Sequence, residues 1–371
     1  MKGNWTFRKS LLCGVILLIV LTVSNAIVYL FSIKSELKMN YQEENNKICM
    51  YSANQGNYIA FYNENRVCQF PFVCGGRVSL LSLPDGKIYS IADTKRFLEG
   101  FSLPALKGNY VFFFKTWDDT KLGSLLSKDI RKNNGNQKVA EHVSNYVLQG
   151  DELFYINGRH AALYCKNLKS KQEMHLLSME DTLQNFELEI KGNILYVFGD
   201  EERILYILDL KNGKIEKSLF FKPDGKEILR IQPLSDKKIL VATKQAGILE
   251  YNWESKTVRT LVHLGDMSQV FKQNGLRYDF CNKEDFVYYY DQNLVVYQYN
   301  KQTKQAKQLI DWSKAGTASK WMKEPSHISA AFYYCTDYIV ADIKYKNKIR
   351  GYNRRIVVFD YDGKFVMEKR I

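Results

Sequence analysis

Gly192-Asn193-Ile194-Leu195-Tyr196-Val197-Phe198, the polar turn Gly199-Asp200-Glu201-Glu202-Arg203, then Ile204-Leu205-Tyr206-Ile207-Leu208-Asp209 and the tip Lys211-Asn212-Gly213-Lys214 form the stretch that decides the fold. Both apolar runs are short and rich in branched and aromatic residues, which pack well on a pleated surface. Each is bounded by Gly, Asn or Asp, the residues that turn a chain sharply. Two-residue Asn-Gly and Asp-Gly tips are expected to supply the positive φ of tight hairpins.

The same order begins again at Gly56 (GNYIAFY), Gly108 (GNYVFFF), Gly150 (GDELFYI), Asp236 (DKKILVA), Glu284 (EDFVYYY) and Thr336 (TDYIVAD). Successive starts lie 52, 42, 42, 44, 48 and 52 residues apart. A second strand recurs at Ala162-Leu163-Tyr164, Gly247-Ile248-Leu249, Leu294-Val295-Val296-Tyr297 and Ile356-Val357-Val358-Phe359. A period of this size signals stacked or radial units. Four strands in about 45 residues, repeated, is the arithmetic of a β-propeller. The expectation is an all-β domain over residues 47–371 with seven four-stranded blades; six or eight stay open because the first and last units are irregular.

The unit Leu205-Tyr206-Ile207-Leu208-Asp209-Leu210-Lys211-Asn212-Gly213-Lys214 resembles the repeat of the quinoprotein-like (PQQ-like) and related surface-layer propellers, roughly LY-x-LD-x-x-x-GK. The tryptophan that commonly closes that repeat is missing, since Ile215-Glu216-Lys217 follows the tip. The resemblance implies the fold. It carries over no residues for a quinone or its calcium, so no cofactor is expected.

Ahead of the repeats, Ser10 to Ile33 is a run of 24 residues without a formal charge. At about 1.5 Å per residue it spans a hydrocarbon core of roughly 30 Å. Lys2, Arg8 and Lys9 precede it with no acid among them, whereas Lys34, Lys38 and Lys47 are offset by Glu36, Glu43 and Glu44. The basic excess predicts a cytoplasmic N-terminus (1–9), a transmembrane signal anchor (10–33), a tether (34–46) and a propeller outside the cell membrane of a bacterium. A cleaved signal peptide ending at Ser24-Asn25-Ala26 is the rival reading. Ile27-Val28-Tyr29-Leu30-Phe31 continues the apolar run past that point and favours retention.

Net charge is +13, which suits anionic lipids, envelope polymers or acidic glycans, or reflects only a lysine-rich composition. Partners expected are the membrane through residues 10–33 and a protein or anionic envelope polymer. Nucleic acid is not expected on an outer surface. Six cysteines follow the anchor: Cys49, Cys68, Cys74, Cys165, Cys281 and Cys335. Those in apolar runs, Cys165 and Cys281, read as buried free thiols, and any bridge falls among Cys49, Cys68 and Cys74. No Cys/His set has metal spacing.

Two stretches stand out as binding candidates. Trp312, Lys314, Lys320 and Trp321 lie on the connection entering the last unit, where the rings either stack on a ligand or plug the gap between blades. Lys344, Lys346, Lys348, Arg350, Arg354 and Arg355 lie on an elongated basic hairpin loop, which either grips an anion or is simply solvated. No nucleophile elbow or phosphate loop is present, and the adjacent acids Asp118-Asp119 and Asp200-Glu201-Glu202 read as solvated turn residues. The expected function is a non-catalytic recognition or scaffolding module for protein or envelope glycan. The alternative is a polysaccharide-acting enzyme with carboxylates at the channel mouth.

Overall fold

The computed structural model describes residues 53–370 apart from 56–57, 65–75, 84, 94–98, 118–121, 133–134, 180–185, 200–203, 220–227, 236, 245–246, 266–277, 316–317, 322–327, 336 and 348–350. The anchor, the tether, Cys49, Cys68 and Cys74 lie outside the described residues. Among the described residues no helix is long and apolar enough to cross a membrane.

The described strands form antiparallel meanders, each sheet built from strands consecutive in the chain. The first sheet runs β1 (Ala53–Gln55), β2 (Tyr58–Glu64), β3 (Gly76–Ser82), β4 (Ile88–Asp93). A seven-stranded sheet follows: β5 (Glu99–Lys107), β6 (Tyr110–Trp117), β7 (Gly123–Asp129), β8 (Gln137–Gln149), β9 (Glu152–Asn157), β10 (Ala162–Asn167) and β11 (Glu173–Ser178). Next come β12 (Phe186–Lys191), β13 (Ile194–Gly199), β14 (Ile204–Asp209), β15 (Lys214–Leu219). The fourth sheet is β16 (Ile228–Ser235), β17 (Lys238–Thr243), β18 (Gly247–Asn252), β19 (Thr257–Val262). The fifth is β20 (Cys281–Lys283), β21 (Phe286–Tyr290), β22 (Val296–Asn300), β23 (Gln305–Gln308). The last is β24 (Ile328–Tyr334), β25 (Tyr338–Asn347), β26 (Gly351–Asp360), β27 (Phe365–Arg370). A short α1 (Ala318–Trp321) sits between the last two sheets.

These sheets form a propeller-like ring, and the apolar clusters show why. Residues on one face of a strand alternate with those on the other, and here both faces of the middle strands are apolar. In β13, Leu195 and Val197 join the cluster shared with β8–β11, while Tyr196 and Phe198 join the one shared with β16–β18. The pattern continues around the molecule until Ile59, Phe61 and Leu81 of the first sheet meet Val340, Ile356 and Val358 of the last. The ring closes on side chains alone, since each described sheet is built from consecutive strands. Across sheets β12 approaches β8 and β16, and β16 approaches β20, so these strands line the axis, while β5 lies against β1, β2 and β3. The fourth strands β19 and β23 are the exposed outer edges.

The expectation of seven separate four-stranded blades is corrected here: five sheets have four strands and one has seven. The cause is β8, a 13-residue strand that pairs with β7 through its first half and with β9 through its second. No turn separates the halves. Instead His142 takes a left-handed φ of 54°, and the register shifts at Val143–Asn145, which bends the strand. The two halves of the sheet pack against each other, with Phe114 edge-on to Tyr146 at 5.1 Å.

The hairpin tips are also longer than expected. Asp209 pairs with Lys214, leaving a four-residue loop rather than two residues. The carboxylate of Asp209 accepts from the Lys211 amide at 2.9 Å, and Gly213 takes the left-handed conformation at φ 69° while donating to the Asp209 carbonyl. Asn167, Asn252 and Asn300 start equivalent loops, and Lys171, Lys256 and Lys304 occupy the left-handed position. This is a turn followed by one left-handed residue, the geometry of longer hairpin loops. Neighbouring units are tied where first strands end: Lys107 Nζ reaches Asp151, Gln149 Nε2 donates to the Gly192 carbonyl, and Lys191 Nζ donates to the Leu234 carbonyl. Cys165 is free and buried, and Cys281 is half-buried, its sulfur accepting from the Tyr361 hydroxyl at 3.9 Å.

Left-handed φ strains a side chain with a Cβ by about 1 kcal/mol. Lys304→Gly should therefore raise stability by about 0.5–1 kcal/mol, and Gly213→Lys should lower it by a similar amount. Urea unfolding of both variants checks the pair; equal stabilities would contradict the assigned loop geometry.

Candidate functional site

The first strands carry a charged cluster that the repeat itself assembles. In β12 the sequence Phe186-Glu187-Leu188-Glu189 alternates: Phe186 and Leu188 are buried against the preceding sheet. Glu187 and Glu189 lie opposite Phe198 and Tyr196, on the face turned to the following sheet. Arg230 comes from that sheet, at a register shift between Ile228 and Arg230. Asp279 lies two residues before β20, in the sheet after that. All three carboxylates converge on one guanidinium. Arg230 Nη1 is 3.5 Å from Glu187 Oε2, Nε is 3.6 Å from Asp279 Oδ1, and Nη2 donates to Glu189 Oε1. Asp279 also accepts from the backbone amides of Phe280 and Tyr334, which brings in the last sheet.

These groups are deep in the protein yet keep between 19% and 33% of their side-chain surface accessible. Burial pushes the Glu189 carboxyl up to about 7; Arg230 opposes the shift, and Glu187 and Asp279 add to it. Burial likewise raises Asp279 to about 6 against the pull of Arg230. For Arg230, burial alone would lower the guanidinium, but the carboxylates outweigh it and hold it above its ordinary value. Among the described residues, one guanidinium meets three carboxylates here.

Around Asp279 stand three tyrosines. Tyr278 donates its hydroxyl to the Tyr290 carbonyl at 2.8 Å. The hydroxyls of Tyr290 and Tyr334 are buried without a hydrogen-bond partner, as are Arg230 Nε and Glu187 Oε2. Burial raises all three phenols, and the charge of Asp279 raises them further. Among the described residues no group of three His, Cys, Asp or Glu is arranged to hold a metal.

The residues singled out from sequence lie elsewhere. Trp312 begins a short 3-10 turn and packs into the core against Phe332 and Phe359, edge-on to the latter at 5.3 Å. Lys320 is exposed on α1, Lys314 ends the 3-10 turn and Trp321 ends α1. The expected basic loop is mostly strand, because β25 and β26 stay paired from Tyr338↔Asp360 to Asn347↔Gly351. Lys344 and Lys346 sit on β25, while Lys348 and Arg350 lie outside the described residues. Arg354 forms a two-pronged pair with Asp342 at 2.8 and 2.6 Å, and Arg355 pairs with Glu368 at 2.8 Å.

The charged cluster was missed because its members are far apart in the chain and no local motif contains them. The period does contain a signal: Glu187 and Asp279 each precede a unit start, Gly192 or Glu284, by five residues, and Arg230 precedes Asp236 by six.

No protein-family model matches the chain, and no curated protein is similar to it. Among solved structures it is similar to the crystal structure of the computationally designed Ika8 protein, with 11% identity, 88% of each chain covered and a TM-score of 0.49.

The cluster makes stability depend on pH. A carboxyl whose folded pKa is raised binds its proton more tightly when folded, so its contribution is fully present below the unfolded value and is lost as pH rises through the folded value. For Glu189 and Asp279 the loss falls between about 4 and about 7. At about pH 8, Glu189→Gln should be neutral or stabilising, and Arg230→Gln should cost about 3–5 kcal/mol by stranding buried acids. Urea unfolding at about pH 5 and about pH 8 measures both; a strongly destabilised Glu189→Gln would contradict this balance.

Proposed function

We propose that the chain is a membrane-anchored, extracytoplasmic propeller of seven blades that acts as a recognition or scaffolding module for an anionic envelope polymer or protein. In this reading the seven-stranded sheet is two blades sharing β8, supported by the bend at His142 and by the packing of its two halves. Kinship with quinoprotein-like propellers, without their cofactor, belongs to the same reading.

The observation that carries it is one of topology. In an antiparallel meander, connections alternate between the two ends of the ring. The connection from β23 to β24, bearing Trp312 to Trp321, and the one from β25 to β26, bearing Lys348 and Arg350, fall at the same end. Ser329 of β24 pairs with Lys344 of β25, so the two stretches adjoin. A run of cations suits a polyanion. Arg354 and Arg355 serve the sheet through Asp342 and Glu368, so the ligand is assigned to Lys344, Lys346, Lys348 and Arg350.

One observation favours a second reading. Glu189, held near 7, is the kind of carboxyl that donates a proton in glycoside hydrolysis, and two other carboxylates stand beside it. Its engagement with Arg230 weighs against a free acid, so the reading stays second.

The test uses the full-length chain in detergent on an immobilised anionic polysaccharide. Replacing Lys344, Lys346, Lys348 and Arg350 with Ser should abolish salt-sensitive retention, because exposed charge pairs are screened within a Debye length of about 8–10 Å. Unchanged retention would dismiss the recognition site. Release of reducing ends from the polysaccharide by wild type, lost in Glu189→Gln, would favour the enzyme instead.

A further inference from the structure

We propose that the ring docks flat on an anionic lipid bilayer through the end that bears its outer hairpin tips. The inference rests on the membrane-anchored reading above and deepens it, since it sets which end of the ring faces the bilayer.

Hydrogen bonds fix where the tips lie. The outer loops, β10–β11 and its counterparts, begin beside the inner turn of the same unit. Leu168 N donates to the Asp151 carbonyl, Leu210 N to Asn193, Trp253 N to Lys237 and Lys301 N to Asp285. The inner turns touch from unit to unit through Lys107 with Asp151, Gln149 with Gly192 and Lys191 with Leu234. The outer loops therefore share one end of the ring. Inner turns such as 192–193 and 284–285 have two residues, whereas every outer loop has four or more. Because the first loop residue is bonded at the level of the inner turn, the rest of the loop stands further out.

Charge is divided between the two circles. The outer loops, 83–87, 130–136, 168–172, 210–213, 253–256, 301–304 and 361–364, hold ten Lys or Arg against three Asp or Glu, with a cation in each. The inner turns hold five acids and one lysine. Asp129, Asp209 and Asp360, which precede three outer loops, turn their carboxylates onto loop amides. Lys171, Lys256 and Lys304 are exposed at left-handed φ of 65°, 58° and 58°, a conformation that glycine adopts at lower cost. In Gly86-Lys87, Gly213-Lys214 and Gly363-Lys364 the glycine takes that conformation and the lysine follows it.

A second observation stands apart from charge. Five large apolar side chains are exposed among the described residues: Tyr110, Met174, Ile215, Val258 and Val366. All five lie at this same end. Tyr110 follows an inner turn directly, and each of the others is the second residue after an outer loop.

Together these features select the partner. A compact anion approaching the axis meets the inner acids. A broad, flat, negative surface meets the protruding outer circle first, and all its loops at once. The attraction of each lysine to an anionic leaflet acts within a Debye length of about 8–10 Å. Apolar side chains beside cations suit the boundary between headgroups and acyl chains. Docking by this end turns the opposite end, with residues 312–321 and 344–350, away from the bilayer.

The full-length chain in nanodiscs of phosphatidylcholine, alone or mixed equally with phosphatidylglycerol, tests the proposal by lysine acetylation with a water-soluble ester, read by mass spectrometry. Lys171, Lys304 and Lys364 should react several-fold more slowly on the anionic discs, whereas Lys344 and Lys346 should react equally on both. The protection should vanish in about 1 M salt, where the Debye length is about 3 Å. Met174→Ser with Ile215→Ser alters exposed positions only, so it should fold as wild type and weaken the protection. Equal reaction of the tip lysines on both lipids overturns the proposal, as does protection of Lys344 and Lys346 instead. Protection by dextran sulfate but not by phosphatidylglycerol would give the face to a soluble polyanion and overturn it too. A chain that does not enter neutral discs contradicts the anchor and leaves docking to be read from flotation. It should then float with phosphatidylglycerol vesicles and lose flotation when Lys171, Lys256, Lys304 and Lys364 become Ser; no flotation of wild type overturns the proposal.

Discussion

A sheet that is apolar on both faces must be covered twice, and this constraint organises the whole molecule. In β2, β6, β13, β17, β21 and β25 the residues pointing to either side are buried, so neither face can meet water. A linear stack of such sheets would leave its first and last faces bare. Bending the stack until those two faces meet removes both exposures with no additional element. Each buried Val, Leu, Ile or Phe contributes roughly 1.5–3 kcal/mol relative to exposure, so leaving the closing cluster open would forfeit a large fraction of a typical domain's stability. The exposed fourth strands, with Lys, Arg and Gln along β19 and β23, blunt the edges that the ring leaves to solvent.

Within this apolar scheme the Arg230 cluster is the exception. Four ionisable groups occupy positions on or next to the first strands, and the raised carboxyls of Glu189 and Asp279 show that burial works against those two acids. A ring held by packing alone would be served better by neutral residues there. The burden is carried by the same three consecutive units, each supplying its part from a similar place in the repeat. Features kept against stability are where function is sought.

Much of the fold was legible in the chain. The runs that open at Gly56, Gly108, Gly192, Asp236, Glu284 and Thr336 contain the second strands of their sheets, β2, β6, β13, β17, β21 and β25, whereas the run that opens at Gly150 contains β9, inside the seven-stranded sheet. That success is physical: turn residues and branched runs recur because every unit solves the same covering problem. What escaped was whatever depended on pairing across units. The fusion at β8 arises because Gln137 to Gln149 runs on as one strand that pairs with β7 and with β9, bent at a left-handed His142. Lysines in left-handed tips were invisible because an Asx side chain, not a glycine, organises the turn. Trp312 read either as a ligand platform or, the favoured reading, as a plug, and the structure packs it on Phe332 and Phe359. The charged cluster required comparing equivalent positions of successive repeats, which no local motif prompts.

The central claim is that the first and last sheets form one interface. Ile59 and Val358 are both fully buried in the closing cluster, although 299 residues separate them. A double-mutant cycle of Ile59→Ala and Val358→Ala in urea unfolding tests it most directly. The account predicts a coupling of about 0.5–3 kcal/mol, as for residues that share one packed site. Effects that add to within about 0.3–0.5 kcal/mol would place the two residues in separate environments and contradict a closed ring.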